Sequence, residues 1–258
     1  MTTKIHPTAI VEKGAEFGVD VEIGPYSMIS AQTKLGDRCI IHSHVVTYGQ
    51  VSVDAENIFF PFCVVGASPQ DLSYKNENTS VKIGKKNIFR ESVTIHRGTA
   101  KDKALTTIGN QNYLMVGSHV AHDCILGDKN VIANGTALAG HVEVGNSVNI
   151  GGQTGVVQKV RIGDFAFIGA GTILRKDLPP FLCAKGFGEV TGPNLVGMKR
   201  SGMSEEDIRC ACDLYRAVYL RTGTLEVAIR EIEERFANNT FAQGFIGFLK
   251  STKVGVSR

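Results

Sequence analysis

The chain has 258 residues, a formal net charge of +3, 43% hydrophobic residues and 21% charged residues. This composition is typical of a folded protein and excludes a disordered chain, and so small a charge gives no reason to expect nucleic acid as a partner. No apolar run reaches the roughly 20 residues of a membrane-spanning helix, so no integral membrane segment is expected.

The N-terminus and the cysteines indicate a cytoplasmic location. The first residues lack the apolar core of a secretory signal peptide. The six cysteines show no Cys-x-x-Cys spacing, so we expect free and mostly buried thiols in a reducing compartment.

From Ile5 onward an apolar residue recurs every six positions, with Thr47 as the only polar member of the series. The series runs from Ile5 to Val65, resumes from Ile83 to Ile95 and continues without a break from Ile108 to Leu174. A helix would need apolar residues every three or four positions, and an ordinary strand every two. A six-residue period instead fits a short strand followed by a corner, with one aliphatic side chain turned inward.

Three hexads close a triangular coil of 18 residues, and successive coils would stack as parallel strands about 4.8 Å apart. Glycine follows the apolar residue in 11 hexads and would relieve unusual backbone angles near the corners. The sequence therefore predicts a mainly β protein, with a left-handed parallel β-helix of hexapeptide repeats over residues 1–180. Two stretches, 66–82 and 97–107, interrupt the series and should loop outward, and long loops on such a scaffold are often functional.

The hexads end near residue 180, and residues 181–258 are predicted to be a linker and a small C-terminal α-helical domain. Residues 181–203 are rich in glycine and indicate the linker. Ser204 and Asp207 form a helix-capping pattern, a second helix is predicted from Thr224, and a third over 240–250.

Three of the seven histidines fall on one face of the predicted prism. His122 and His141 lie on adjacent coils, and His119 is on the same face. If the second loop is purely an insertion, His96 joins them.

Three interpretations of this cluster are open. A general base needs a histidine with a partner to orient it, and Asp123 adjoins His122. A metal site would use several neutral histidines and leave a position for water. A structural trimer would need its histidines only for hydrogen bonds.

Several runs of the sequence resemble the UDP-N-acetylglucosamine acyltransferases, a family that begins lipid A assembly. They are Glu91–Thr99, His119–Cys124, Ala139–Val142, Pro69–Leu72, Gly197–Arg200 and the opening Ile5–Val11. The resemblance extends over essentially the whole chain, and the loops and helical tail also correspond.

The resemblance implies a cytoplasmic homotrimer with active sites between neighbouring prisms. It implies transfer of a (3R)-3-hydroxyacyl chain from acyl carrier protein to the 3-position of a UDP-GlcNAc-type sugar, with no metal or other cofactor. The alternatives are a γ-class carbonic anhydrase-like metalloenzyme and a non-catalytic structural trimer.

The resemblance also implies residue roles. His122 would be the general base, Asp123 would orient it, and the Gly140 backbone N–H would stabilise the oxyanion. Ala170 would set the acyl length. Substrate-binding residues would be Gln70, Asp71, His96, His119, His141, Gln158, Asn194 and Arg200.

The chain departs from the family pattern at five positions toward the nucleotide end of the site, and these leave the acceptor open between UDP-GlcNAc and its 3-amino analogue. The departures are Ser73, Val157, Phe187, Val196 and Ser201. A group of basic residues in the tail is a candidate docking surface for the acidic carrier protein, and comprises Lys199, Arg200, Arg209, Arg216 and Arg221.

Overall fold

A computed structural model describes residues 3–258. In chain order its strands are β1 (Lys4–Ile5), β2 (Ile10–Val11), β3 (Glu16–Phe17), β4 (Glu22–Ile23), β5 (Met28–Ile29), β6 (Thr33–Leu35), β7 (Ile40–Ile41), β8 (Val46–Thr47), β9 (Gln50–Val53), β10 (Ile58–Phe59), β11 (Val64–Ala67), β12 (Ser80–Ile83), β13 (Ile88–Phe89), β14 (Thr94–His96), β15 (Leu105–Ile108), β16 (Tyr113–Leu114), β17 (His119–Val120), β18 (Ile125–Leu126), β19 (Val131–Ile132), β20 (Ala137–Leu138), β21 (Glu143–Val144), β22 (Asn149–Ile150), β23 (Gly155–Val156), β24 (Arg161–Ile162), β25 (Phe167–Ile168), β26 (Ile173–Leu174), β27 (Leu182–Lys185) and β28 (Glu189–Pro193). Each of the first 26 strands contains one member of the hexad series, so the repeat of strand and corner is confirmed.

Every third strand falls into the same sheet, which gives the three faces of a prism. The first sheet runs from β1 through β4 to β25 and ends with β27 and β28, the second from β2 to β26, and the third from β3 to β24. Residues one coil apart pair in parallel, as Ile5 does with Ile23 and Val120 with Leu138. The predicted left-handed parallel β-helix is confirmed.

From Ile23 onward the hexad residues are buried inside the prism and form its core. Ile95, Leu114 and Ile132 are among those with no exposed surface, and burial of one such side chain stabilises the fold by roughly 1.5–3 kcal/mol. Thr47 is also buried, and its hydroxyl lies 2.8 Å from the Thr33 hydroxyl. The exception to the apolar series is therefore accommodated because its polar atom is hydrogen-bonded inside the core.

Four asparagines stack on successive coils at the corner between the third sheet and the first, and form an internal ladder of hydrogen bonds. Asn57, Asn87, Asn112 and Asn130 are at most 1% exposed. Each of the last three has its backbone N–H donating to the side-chain oxygen of the asparagine one coil earlier, at 2.8–2.9 Å. The Asn112 amide also donates to the Asn87 side-chain oxygen at 3.0 Å and to the Gly127 carbonyl at 2.9 Å. The ladder thus satisfies buried backbone groups at this corner.

Both loops are insertions between coils that stay in register. Ile83 pairs with Val53 and with Ile108, and Ile95 pairs with Val120, so His96 joins the histidine face as predicted. The strands extend further than the repeat predicted, and the first loop is confined to residues 68–79 and the second loop to residues 97–104.

Residues 181–203 were predicted to be a linker, and this is wrong. β27 and β28 form an antiparallel hairpin, and β27 pairs in parallel with β25, which continues the first sheet past residue 180. Leu182 and Ala184 are buried, and the burial of their side chains stabilises the segment as a strand. A short helix, α1 (Leu195–Arg200), follows the hairpin.

The three predicted helices of the tail are present. They are α2 (Glu205–Tyr215), which continues as a π-helical turn (Arg216–Leu220), α3 (Leu225–Arg235) and α4 (Thr240–Lys250). Ser204 caps α2, as predicted, and Thr224, where the second helix was predicted to begin, caps α3. No helix within residues 3–258 is long and apolar enough to cross a membrane.

Helix α4 contacts the last coils through one arginine and through aromatic packing. The Arg161 guanidinium donates to Asp177 at 3.1 Å, to the Ser251 hydroxyl at 2.9 Å and to the Phe248 carbonyl at 2.9 Å. Phe181 stacks on Phe241 of α4 with ring centroids 4.5 Å apart. These contacts hold α4 against the third sheet.

We predict that Asn112→Ala lowers the free energy of unfolding by about 3 kcal/mol, because it leaves buried partners on two neighbouring coils without hydrogen bonds. Urea unfolding followed by circular dichroism measures the change. Asn238→Ala, at an exposed position between α3 and α4, is the control and should change stability by less than about 0.5 kcal/mol. Equal stability of the two variants would contradict a structural role for the ladder.

Candidate active site

Two successive corners between the second and third sheets hold the central residues. His122 and Asp123 follow β17 and turn the chain toward β18, and Gly140 and His141 do the same one coil later. The His141 N–H donates to the His122 carbonyl at 3.0 Å. Coil stacking alone therefore places these four residues together.

His122 and Asp123 form a buried pair. The His122 Nδ1 lies 2.8 Å from the Asp123 Oδ2, and the two side chains are 8% and 1% exposed. An ionised carboxylate can only accept a hydrogen bond, so Nδ1 carries the hydrogen and Nε2 is left as an acceptor. This is the tautomer that a general base requires.

Asp123 is held by residues of the second loop and of β15. The Thr99 N–H donates to both carboxylate oxygens at 2.9 and 3.1 Å, and the Thr99 hydroxyl donates to Oδ2 at 2.7 Å. The Asp123 N–H donates to the Thr106 hydroxyl at 2.9 Å. Sequence reasoning missed both threonines, although Thr99 ends one of the runs that carry the family resemblance.

Two glycines are required here by close approach. A Cβ on Gly140 would lie 2.5 Å from Cε1 and 2.6 Å from Nε2 of His122. A Cβ on Gly98 would lie 2.1 Å from the Leu105 nitrogen and 2.8 Å from Asp123 Oδ1. The backbone of Gly140 can therefore approach the histidine nitrogen that is free to act.

The Gly140 N–H donates to no acceptor within residues 3–258. At the neighbouring corner the corresponding N–H groups are capped from the next coil, as Asn146 is by Asp164 at 2.7 Å. The residue one coil after Gly140 is Gln158, whose side chain makes no such bond among the described residues. An unused N–H beside Nε2 is suited to bind an oxyanion.

A groove of about 450 Å³ runs over the outer face of the second sheet and reaches this corner. Its lining is mainly apolar, and its polar side chains are those of Gln70, His119, His122 and Gln158. The lining residues are Gln70, His119, Ala121, His122, Ala137, Leu138, Ala139, Gly140, Gly155, Val156, Val157, Gln158 and Ile173. An apolar groove with a few polar groups fits an amphiphilic ligand.

His96 and His119 pack edge to face, with ring centroids 4.8 Å apart. Burial, with smaller effects from His119 and His122, lowers the pKa of His96 to about 4. Burial, with a smaller effect from His122, also lowers the pKa of His119, whose Nδ1 lies 2.7 Å from the Thr94 hydroxyl. Both rings are therefore neutral near pH 7. His96 is 7% exposed and is not among the residues that line the groove.

His141 stands perpendicular to His122, with ring centroids 5.1 Å apart. It lines a separate charged pocket of about 420 Å³, together with Asp102, Lys159 and Arg161. Ligand atoms of His122, Asp123 and His141 lie within 4.8 Å of one another and could hold a metal ion. This set contains two histidines and one carboxylate. The hypothesis of a metal site with several histidines would require His96 or His119 as a further ligand.

Asp71 is engaged by the second loop. Lys101 donates to its Oδ2 at 2.9 Å, and the N–H and hydroxyl of Ser73 donate to Oδ1 at 2.9 and 2.7 Å. These contacts, that of Lys101 first, hold the pKa of Asp71 well below its usual range. Ser73 is one of the departures from the family pattern, and the cation that reaches Asp71 comes from Lys101.

Like His96 and His141, three further predicted site residues do not line the groove of their own chain. Asn194 caps α1, and its amide donates to the Phe165 carbonyl at 2.9 Å. Arg200 is exposed at the end of α1, and Ala170 is exposed at the corner between the first and second sheets. Their contact with a substrate would need a neighbouring protomer.

The departures from the family pattern lie mostly on the surface. Val157 lines the groove and is 43% exposed. The Phe187 ring lies 5.7 Å from the Arg175 guanidinium, and Val196 is exposed. The Ser201 hydroxyl donates to the Met198 carbonyl at 2.7 Å.

Two family models match the chain. The second domain of UDP N-acetylglucosamine O-acyltransferases matches residues 177–257, and the bacterial transferase hexapeptide model of six repeats matches residues 105–140. LpxA from Acinetobacter baumannii is 39% identical and superposes with a TM-score of 0.95 over 98% of this chain and 99% of its own. The UDP-N-acetylglucosamine O-acyltransferase (LpxA) of Moraxella catarrhalis is 38% identical, with a TM-score of 0.94 over 98% and 99% of the two chains.

An Arabidopsis UDP-N-acetylglucosamine acyltransferase is 30% identical and covers 98% of this chain and 100% of its own, with a TM-score of 0.85. Identity at this level over nearly the full length, together with the hexads and the helical tail, shows the family and an acyltransferase activity. The chain belongs to the UDP-N-acetylglucosamine O-acyltransferase family.

Proposed function

We propose that the protein transfers a (3R)-3-hydroxyacyl chain from acyl carrier protein to the 3-position of a UDP-GlcNAc-type sugar, as the first step of lipid A biosynthesis. The observation that carries the proposal is the buried His122–Asp123 pair, whose free Nε2 lies close to Gly140, with its unused backbone N–H, in a groove with a mainly apolar lining. The cytoplasmic location stays a prediction from the sequence.

This geometry supports the proposed reaction. His122 Nε2 accepts the proton of the sugar hydroxyl, and the oxygen forms a bond to the thioester carbonyl carbon. The carbonyl oxygen becomes an oxyanion and accepts a hydrogen bond from the Gly140 N–H. Collapse breaks the C–S bond, and the His122 imidazolium returns its proton to the departing sulfur. Asp123 stabilises the imidazolium between the two proton transfers.

The remaining predicted residues would bind the substrates. Gln70 and Asp71, on the first loop, would contact the sugar. Neutral His96 and His119 would offer hydrogen bonds to uncharged groups, and His141 would complete that side of the cleft. Gln158, Asn194 and Arg200 would contact the nucleotide, where the Arg200 fork suits a phosphate, and Ala170 would limit the acyl length.

We also propose a homotrimer, because two faces of the prism carry apolar side chains outward. Ile10 and Met28 of the second sheet and Phe167 of the first sheet are 58%, 45% and 43% exposed. The outward residues of the third sheet are instead largely charged, as are Glu16 and Lys34. Exposed apolar faces of this kind mark interfaces, and a threefold arrangement would bury both faces of every protomer. It would also allow Asn194, Arg200 and Ala170 to reach a neighbour's groove.

We predict that His122→Ala lowers the turnover number at least about a hundredfold, because a positioned general base typically contributes that much. The purified protein is offered 3-hydroxyacyl carrier protein and each UDP-sugar, and the acylated product is followed by mass spectrometry. His6→Ala, at an exposed position of the first coil, is the matched control. A His122→Ala variant with more than a tenth of the wild-type rate would refute the general-base role. Bound zinc with carbonic anhydrase activity and no acyl transfer would favour the metalloenzyme alternative.

Thr99→Val should lower the turnover number by roughly tenfold, because the buried Asp123 carboxylate loses the hydroxyl donor at 2.7 Å. Steady-state kinetics with saturating substrates measure this loss. Thr99→Ser keeps the hydroxyl and should stay within about twofold of the wild type. If valine and serine behave alike, the hydroxyl does not support Asp123.

The basic residues that we propose as a docking surface for the carrier protein differ in their ion pairing. Arg216 pairs with Asp213 at 2.9 Å, and Arg221 pairs with Glu231. Lys199, Arg200 and Arg209 are exposed and have no salt-bridge partner within residues 3–258. These three are therefore better placed than the paired arginines to attract an acidic protein.

Arg209→Glu should raise the KM for acyl carrier protein about fivefold at low ionic strength and less at high salt, because exposed charges steer association and are screened. Arg221→Glu, at a paired position, is the comparison and should have a smaller effect. A KM that responds neither to Arg209→Glu nor to salt would place the docking surface elsewhere.

A further inference from the structure

The second loop, residues 97–104, is tied to the site at two points. The Arg97 guanidinium donates to the Gly66 carbonyl and to the Tyr74 hydroxyl, both at 2.9 Å, and so joins the second loop to β11 and the first loop. Thr99 is bound to the buried Asp123 carboxylate. The loop then closes on itself, because the N–H groups of Asp102 and Ala104 both donate to the Thr99 carbonyl, at 3.3 and 3.2 Å. The position of Asp102 is therefore set relative to Asp123.

This arrangement brings Asp102 to His141. The His141 Nδ1 lies 3.1 Å from the Asp102 Oδ2, and the His141 Nε2 lies 3.8 Å from the Asp123 Oδ2. The contact repeats the geometry of the first pair, since Nδ1 of His122 also faces a carboxylate. The corner thus holds two histidine–aspartate pairs whose rings are perpendicular.

We propose that Asp102 is a positioning residue for acyl transfer, which holds His141 with the hydrogen on Nδ1 and with Nε2 facing Asp123. The proposal rests on the proposed function. Asp102 is the only partner of Nδ1 among the described residues, so its loss leaves the ring free to rotate and to exchange tautomers. The side chain of Asp102 is 42% exposed, so solvent weakens the pair relative to the buried one.

Kinetics of a double-mutant cycle test the coupling. Asp102→Ala should lower kcat/KM by roughly tenfold, whereas in a His141→Ala background the same change should alter it by less than about twofold. Asp102→Asn, whose side-chain oxygen can still accept the Nδ1 hydrogen, should recover most of the loss. Lys103→Ala, at the next and exposed position of the loop, controls for general damage to the loop. Equal rates for Asp102→Ala and Lys103→Ala, or additive effects of Asp102→Ala and His141→Ala, would overturn the proposal.

A spectroscopic measurement separates positioning from catalysis. The ¹⁵N shifts of the imidazole nitrogens are recorded on the wild-type protein and on Asp102→Ala at mildly alkaline pH, where histidines are generally neutral. We expect a protonated Nδ1 for His141 in the wild type, a shift toward mixed tautomers in the variant, and unchanged His122 signals. An unchanged His141 spectrum would overturn the proposal even if activity falls. If the wild type transfers no acyl group, the proposed function fails, and the spectra still decide whether Asp102 sets the tautomer.

Discussion

Parallel pairing between residues 18 apart is the constraint on which the rest of the structure depends. It joins Val120 to Leu138 and Leu126 to Val144, and it repeats from coil to coil on all three faces. One column of residues at the active corner follows from it. His122, Gly140 and Gln158 are each 18 residues apart and all line the groove. A histidine, a backbone N–H and an amide are thereby brought together by backbone hydrogen bonds that have nothing to do with their chemistry.

The repeat made most of the fold predictable, because one inward side chain per hexad is a requirement of every coil. It also placed the histidine face correctly. The hairpin of β27 and β28 was missed, because antiparallel pairing follows no hexad and its glycines at 186 and 188 are also typical of a linker. Thr99, Lys101 and Asp102 were missed for a related reason. They lie in a loop outside the repeat, where residue spacing says nothing about which groups meet.

The backbone conformation at the active corner is the same as at the other corners of the coil. Asp123 and His141 have φ angles of 59° and 61°, in a region that most residues avoid. The same angle occurs at corners far from the site, such as Lys129 and Phe165, both at 58°. It is therefore a property of the coil. Aspartate and histidine tolerate this conformation better than most side chains, so two residues that suit the chemistry also suit the turn.

The two histidine–aspartate pairs differ in how deeply the carboxylate is buried, and therefore in the free-energy cost of a charge on it. Asp123 is almost fully buried, and a buried carboxylate is costly unless donors surround it. The Thr99 N–H, the Thr99 hydroxyl and His122 supply those donors, so the charge can remain where it stabilises an imidazolium. Asp102 is partly solvated and needs no such shell. The second loop reaches both carboxylates, as a donor to Asp123 and as the carrier of Asp102. The second loop, an insertion between coils, thus adds hydrogen-bond partners to the active corner that the repeat itself does not provide.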